Sequence, residues 1–303
     1  MKLHAVYRTT GSENRKRRPE MYSKGVALSS FLASLESVRD VGDLVFIIDG
    51  PIPDAQLALF RSQGEVIQLA GVGNSSSYRR ALMLLHERTD WSDDDLVYFG
   101  EDDYLYRPDA LSRLFEAAGA IDGASFFTVY DHPDYYEHRS QLRFARHHGE
   151  DHWQVGDVSW RAVRSTTMTF AARIERMRRA SFLHVLGSRG PYPRDFDIWS
   201  ASQTYLHRYR LVRSLMHAPD TTPVAGPRTR PRAGLHALVS APRGALVAPR
   251  APLATHLEVD CLAPGADWRE LAASCGPAAD AHPAPASLDR HRGHAPYITT
   301  LGD

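Results

Sequence analysis

Lysine is nearly missing from this chain. Only Lys2, Lys16 and Lys24 occur, so almost all of the 36 basic residues are arginines. Together with many Ala and Pro residues, this points to a GC-rich bacterial genome. Cysteine is scarcer still. Cys261 and Cys275 have no zinc-site spacing, and two thiols cannot build a secreted-type disulfide framework. Long apolar runs are also lacking. The best candidate, Leu235 to Leu257, is broken by Pro242, Pro249 and Pro252 and carries Arg243 and Arg250, so no transmembrane segment is expected. No basic segment followed by an apolar one opens the chain, so the expected location is cytoplasmic. Charge of one sign is not in excess either: 36 acidic residues balance 36 basic ones. No bulk attraction to nucleic acid follows, and no nucleic-acid partner is expected.

What is present is an ordinary globular composition, 43% hydrophobic and 24% charged over 303 residues, enough to bury a substantial core. The first half alternates two kinds of segment. Leu3 to Tyr7, Leu44 to Ile48, Glu65 to Leu69, Leu96 to Phe99 and Ser125 to Tyr130 read as strands. Between them, Tyr22 to Leu35, Asp54 to Gln63, Ser77 to Arg88 and Pro108 to Ala118 have helical spacing or helix-start signals. This alternation predicts an α/β fold with a mainly parallel sheet flanked by helices. Farther on, His132 to Asp157 reads as a loop, and Trp160 to Ala172 as one strand. Arg173 to Leu186 and Asp195 to Leu206 read as helices. From Pro219 to Pro252 the chain reads as irregular, and from Ala278 to Asp303 as a tail. The expected division is a catalytic domain over 1–218 and a Pro/Arg/Ala-rich C-terminal extension over 219–303, packing on or near the active site.

In such sheets, ligands bind beyond the carboxyl ends of the strands. Polar residues cluster at those ends here: Arg8-Thr9-Thr10, Asp49-Gly50 and Glu101-Asp102-Asp103. Three consecutive carboxylates stay ionised together only if water, a cation or a basic group compensates them. Mg²⁺ or Mn²⁺ is a natural compensator, since such ions combine one or two carboxylates with phosphate oxygens. An exposed acidic turn, like Asp93-Asp94-Asp95, is the plainer alternative.

The run from Leu96 to Leu111, Leu-Val-Tyr-Phe-Gly-Glu-Asp-Asp-Tyr-Leu-Tyr-Arg-Pro-Asp-Ala-Leu, resembles the core of family 2 glycosyltransferases. In these enzymes of the GT-A (Rossmann-like) fold, a strand ends in a DxD-type motif followed by a P-x-x-L helix. The Leu-Val-Phe-Ile-Ile-Asp-Gly run ending at Gly50, and the segment from Gly73 to Leu82, resemble neighbouring parts of the same family. The likeness extends from about Leu3 to Leu206. It departs in having Glu101 at the first motif position, and in lacking the family's usual Gly and Asn between Asn74 and Arg80.

The resemblance implies a nucleoside-diphosphate sugar as donor, Mn²⁺ or Mg²⁺ as cofactor, and inverting transfer to a hydroxyl acceptor. That acceptor is a glycan, a lipid-linked sugar or a natural product. It implies that Thr9 and Asp49 contact base or ribose, that Asp102 faces the donor and that Arg80 contacts its phosphate or sugar. Asp103, with Glu101, would bind the metal. A late histidine completes that metal site in some such enzymes, and His256 is preferred here over His217. Asp195 is the first candidate for general base and Asp197 the second. The alternative for both is a helix N-terminus, with Asp195 as cap and Asp197 favoured by the dipole.

His132, His138, His147, His148 and His152 read as a solvated loop more readily than as a metal cluster. Tyr130, Tyr135, Tyr136, Trp153 and Trp160 are candidates either for stacking on an acceptor sugar or for the core. Two other functions compete. One is a sugar-1-phosphate nucleotidyltransferase, although Gly11 is the lone glycine after the first strand. The other is a non-catalytic GT-A-like module that binds nucleotide or glycan.

Overall fold

A computed structural model describes residues 1–13, 16–137, 152–190, 192–203 and 244–275. The expected α/β architecture is present. Nine strands form one sheet in the order β3-β2-β1-β4-β9-β6-β10-β8-β7. The parallel half is β1 (Leu3–Thr10), β2 (Val41–Asp49), β3 (Glu65–Leu69) and β4 (Leu96–Glu101). Between them run α1 (Lys24–Glu36), α2 (Asp54–Gln63) and α3 (Asn74–Glu87). Beyond β4 lie β9 (Phe170–Arg173), antiparallel to both its neighbours, and β6 (Ala124–Phe127). The edge is built from β10 (Ala245–Pro249), β8 (Val158–Val163) and β7 (His152–Val155).

The two faces of the sheet carry separate cores, and the strand period of two sorts residues between them. Leu3, Ala5, Tyr7, Phe46, Ile48, Leu96 and Tyr98 face one core, shared with Leu28, Phe31 and Leu35 of α1. Leu111 and Leu114 of α4 (Ala110–Ala120) join it. Val6, Val45, Ile47, Val97 and Phe99 face the other, against Tyr78, Leu82 and Leu85 of α3. Met177 of α6 (Ile174–Gly187) and Trp199 of α7 (Asp195–Gln203) complete that side. The unbroken apolar strands of the sequence are thus strands buried on both faces.

Several local expectations change, and the segment from His132 to Asp157, expected as a loop, contains a short helix over Asp134–Glu137 and the strand β7. The run from Trp160 to Ala172 is two strands, β8 and β9, separated by a non-strand connection over 164–169. Its β-branched residues serve that buried connection, where Thr166 and Thr169 are covered. The helix expected from Ser77 starts earlier, at Asn74, and its cap is Gly73 with φ 89°. A left-handed φ suits glycine, and no side-chain cap is made there. The stretch expected to be irregular contains a buried strand, β10, which pairs parallel with β6 and antiparallel with β8.

The late residues also add β11 (Ala254–His256), which pairs antiparallel with β5 (Tyr104–Tyr106), next to the acidic turn. The remaining short helices among the described residues are α5 (Asp134–Glu137) and α8 (Trp268–Cys275), with a 3₁₀ turn over Val259–Cys261. The boundary expected at 218, His138, His147, His148 and His217 lie outside the described residues. Among the described residues, no helix is long and apolar enough to cross a membrane.

Candidate active site

A cleft of about 980 Å³ opens at the carboxyl ends of β1, β2 and β4. It is lined by Thr9, Asp49, the acidic turn Glu101 to Asp103, Asp195 and His256, among others. Tertiary packing therefore gathers most of the residues singled out from the sequence. Arg80 and Asp197 are not among the lining residues.

The three acidic side chains have distinct partners. Arg8 and Glu101 are register neighbours on β1 and β4, and their side chains meet at 2.5 Å. The other Glu101 oxygen accepts from Thr169 at 3.0 Å. Asp102 ties together the segment after β1. It accepts from Thr9 Oγ1 at 2.7 Å and from the Thr10 amide at 3.2 Å, and pairs with Lys24 at 3.1 Å. Burial pushes the Asp102 carboxyl upward, against the pull of Lys24.

Asp103 is the residue that meets the late histidine. In the β11–β5 ladder, His256 stands opposite Tyr104, and the Leu257 amide donates to the Asp103 carbonyl at 2.7 Å. That register brings His256 Nε2 to 3.0 Å from Asp103 Oδ2. The Tyr104 ring stacks on the imidazole with centroids 4.9 Å apart and an interplanar angle of 16°. Arg18 Nη2 reaches the same carboxylate oxygen at 3.1 Å and Lys16 Nζ at 3.7 Å. Burial alone would raise the Asp103 carboxyl, but His256, Lys16 and Arg18 hold it well below the usual carboxylate range. Burial alone would lower His256, but Asp103 outweighs it and lifts the imidazole to about 9.

Asp49 accepts from the Val72 and Gly73 amides, both at 2.7 Å. It therefore fixes the turn that starts α3 while still facing the cleft. Arg80 pairs instead with Glu87, about two helical turns further along α3, at 2.9 Å.

Asp195, where α7 begins, also lines the cleft. The Ile198 amide donates to the Arg194 carbonyl, so Asp195 is in the first turn rather than at the cap. A Cβ on Gly187 would lie 2.2 Å from Ile198 Cγ1, so this glycine permits the close approach of α6 and α7. Burial, reinforced by the nearby Glu101 charge, raises the Asp195 carboxyl to about 7. Asp197 is held outside, by Arg194 at 2.7 Å.

The proposed acceptor-stacking aromatics are elsewhere. Tyr130 and Trp160 are fully buried in the core, and Trp153 packs against it. Tyr135 and Tyr136 flank the Arg161 guanidinium, which pairs with Asp131 at 2.6 Å. Arg8, Lys16 and Arg18 were not singled out as site residues by sequence reasoning. For Arg8, the signal was its position at the end of β1, directly across from Glu101.

A divalent cation would meet a mixed donor set here. It is one carboxylate oxygen and one imidazole nitrogen at the cleft, and Mn²⁺ accepts both atom types more readily than Mg²⁺. Asp103 and His256 fit such an ion once the imidazole has given up its proton, since only the neutral ring offers Nε2 as a ligand. Glu258 and Cys261 also have ligand atoms within 4.8 Å of His256 and of each other. Glu101 faces away from this pair, toward Arg8 and Thr169.

No protein-family model matches the chain. No curated protein matches it. Among solved structures, the chain is similar to glucosyl-3-phosphoglycerate synthase from Mycobacterium tuberculosis in complex with UDP. Identity is 16%, 79% of each chain is covered and the TM-score is 0.41. It is also similar to 2-C-methyl-D-erythritol 4-phosphate cytidylyltransferase from Francisella tularensis. There the identity is 10%, covering 90% of this chain and 98% of that one, with a TM-score of 0.38. A 4-diphosphocytidyl-2C-methyl-D-erythritol synthase is 16% identical over 59% of this chain and 78% of that one, with a TM-score of 0.36. Both a sugar transferase and nucleotidyltransferases thus stand among the similar structures.

Proposed function

We propose that this chain is a glycosyltransferase of the GT-A type. It moves a sugar from a nucleoside-diphosphate sugar to a hydroxyl acceptor with inversion at the anomeric carbon. The observation that carries this reading is the pairing of two different acidic groups in one cleft. The strand-end turn at Asp103 offers a carboxylate with an imidazole beside it. The same cleft is lined by Asp195, whose carboxyl is raised to about 7 by burial.

The roles follow from those positions. Asp103 and His256 would hold the divalent cation, which would supply charge neutralisation for the diphosphate leaving group. The turn fixed by Asp49 and the Thr9 side of β1 form the nucleoside end of the cleft. Asp195 receives the proton of the acceptor hydroxyl. As that oxygen bonds to the anomeric carbon, the bond from that carbon to the diphosphate oxygen breaks, and the nucleoside diphosphate leaves. A carboxyl with a pKa near the working pH is suited to that transfer.

A nucleotidyltransferase would need the segment after β1 to cradle a triphosphate. Gly11 has another role there. A Cβ on it would stand 1.9 Å from the Pro51 carbonyl oxygen, so glycine is required for packing against the end of β2. Incubation with UDP-, GDP-, ADP- and CDP-sugars and Mn²⁺, followed by mass spectrometry, tests the assignment. Sugar transfer or slow donor hydrolysis supports it. Pyrophosphate release from a nucleoside triphosphate and a sugar phosphate would replace it with nucleotidyl transfer. Nucleotide binding without any turnover would leave a binding module.

A further inference from the structure

The acidic turn already carries its own counter-ions. Arg8 pairs with Glu101 at 2.5 Å and Lys24 with Asp102 at 3.1 Å. Arg18 pairs with Asp103 at 3.1 Å and Lys16 with Glu258 at 3.1 Å. Four carboxylates thus face four cations. A divalent cation entering alone would add positive charge beside cations that already pair these carboxylates, which is costly where water is partly excluded. The same cation arriving with a diphosphate would not.

Lys16 and Arg18 differ in how firmly they are held. Arg18 donates to the Leu257 carbonyl at 2.8 Å and lies 4.4 Å from the centre of the Tyr22 ring. Its side chain is 13% exposed. Lys16 is 40% exposed, lines the cleft and is shared between Glu258 and the more distant Asp103, at 3.7 Å. It also stands 3.4 Å from His256 Nε2, at the point where the cation would enter. A lysine on a flexible stem is a point charge that can change partners.

We infer that Lys16 is a diphosphate-binding residue that exchanges Asp103 and Glu258 for the phosphates of the donor. Metal and nucleotide therefore enter together, and the free chain binds the metal weakly. This rests on reading the cleft as a nucleoside-diphosphate site. Arg18 stays in place and keeps the turn joined to β11.

Calorimetry on the full chain tests it, with Mn²⁺ alone, with UDP, GDP, ADP and CDP in the presence of Mn²⁺, and with the parent nucleosides. Wild type should bind Mn²⁺ more tightly once the preferred diphosphate is present. Lys16→Gln should lose about tenfold in diphosphate affinity, the scale of one charge-assisted contact. It should leave nucleoside affinity unchanged and bind Mn²⁺ alone more tightly than wild type, because a competing cation has gone. Lys16→Arg keeps the charge and should keep diphosphate affinity within a few fold. That variant carries the comparison if Lys16→Gln lowers the melting temperature.

Two results overturn the inference while leaving the cleft reading intact. One is equal diphosphate affinity in Lys16→Gln and wild type. The other is weaker or unchanged binding of Mn²⁺ alone by Lys16→Gln. If wild type binds none of the four nucleoside diphosphates, the cleft reading itself is wrong, and the inference falls with it.

Discussion

His256 Nε2 lies 3.0 Å from Asp103 Oδ2, although 153 residues separate them in the chain. The contact is set by backbone pairing rather than by side-chain reach, because β11 adds to β5 in the register that places His256 beside the turn. Asp103 is only 7% exposed, so its partners would be left as buried, unpaired groups if it were removed.

Asp103→Asn should therefore act twice. It should remove the Mn²⁺ dependence of nucleoside-diphosphate affinity, and it should lower stability by on the order of 3 kcal/mol, as breaking a buried ion pair does. Titration calorimetry and chemical denaturation read the two effects separately. Glu101→Gln should lower stability through Arg8 and leave the Mn²⁺ dependence in place. Retention of that dependence in Asp103→Asn would show that the ion is held elsewhere.

Asp49 offers a different test. Both its oxygens accept backbone amides from the turn before α3. Asp49→Ala should weaken nucleotide binding with or without metal and also lower the melting temperature, since the turn before α3 loses two side-chain hydrogen bonds, at about 0.5–1.5 kcal/mol each. If the melting temperature falls while nucleotide affinity stays at the wild-type value, Asp49 serves the fold alone.

For Asp195 the expectation is a pH profile. The group acts as base only when ionised, and burial has raised its carboxyl to about 7. Turnover should therefore rise with pH through about 7 and level off above it. Asp195→Asn should flatten that profile and reduce turnover by about 10²–10⁴-fold, with donor affinity little changed. Asp197→Asn should do far less, since Asp197 faces Arg194 outside the cleft. A rise through pH 7 that survives in Asp195→Asn would assign the base to another group.

The buried His184 should make stability itself depend on pH. The Tyr78 hydroxyl lies 2.6 Å from its Nδ1, and burial lowers its pKa from 6.5 to about 3. Below pH 6.5 the unfolded chain takes up a proton that the folded chain refuses. This group's contribution is thus fully present above pH 6.5 and declines as the pH falls toward 3, by at most about 1.4 kcal/mol per pH unit. His184→Phe should shrink the drop in unfolding free energy between pH 6.5 and 4. An unchanged slope would mean that other groups dominate in that window.

Local patterns in the sequence were enough to establish the parallel half of the sheet. Leu44 to Ile48 and Leu96 to Phe99 are apolar on both faces, and only a strand covered on both sides makes use of that. The acidic turn and Asp49 were legible for a related reason. Residues at the carboxyl ends of parallel strands project to one edge whatever else the chain does. Asp195 and Asp197 were both visible in the sequence, with Asp195 placed first. Two residues apart at a helix start they point in different directions, and the approach of α6 at Gly187 decided which one faces the cleft. The same holds for the rest of the site. The pairing of His256 with Asp103, of Arg8 with Glu101, and of Lys16 and Arg18 with the acidic turn depends on strand register and loop placement across long separations. Such contacts leave no periodic trace in the chain, because their energy comes from elements that meet only when the sheet closes. Tertiary structure alone decided them.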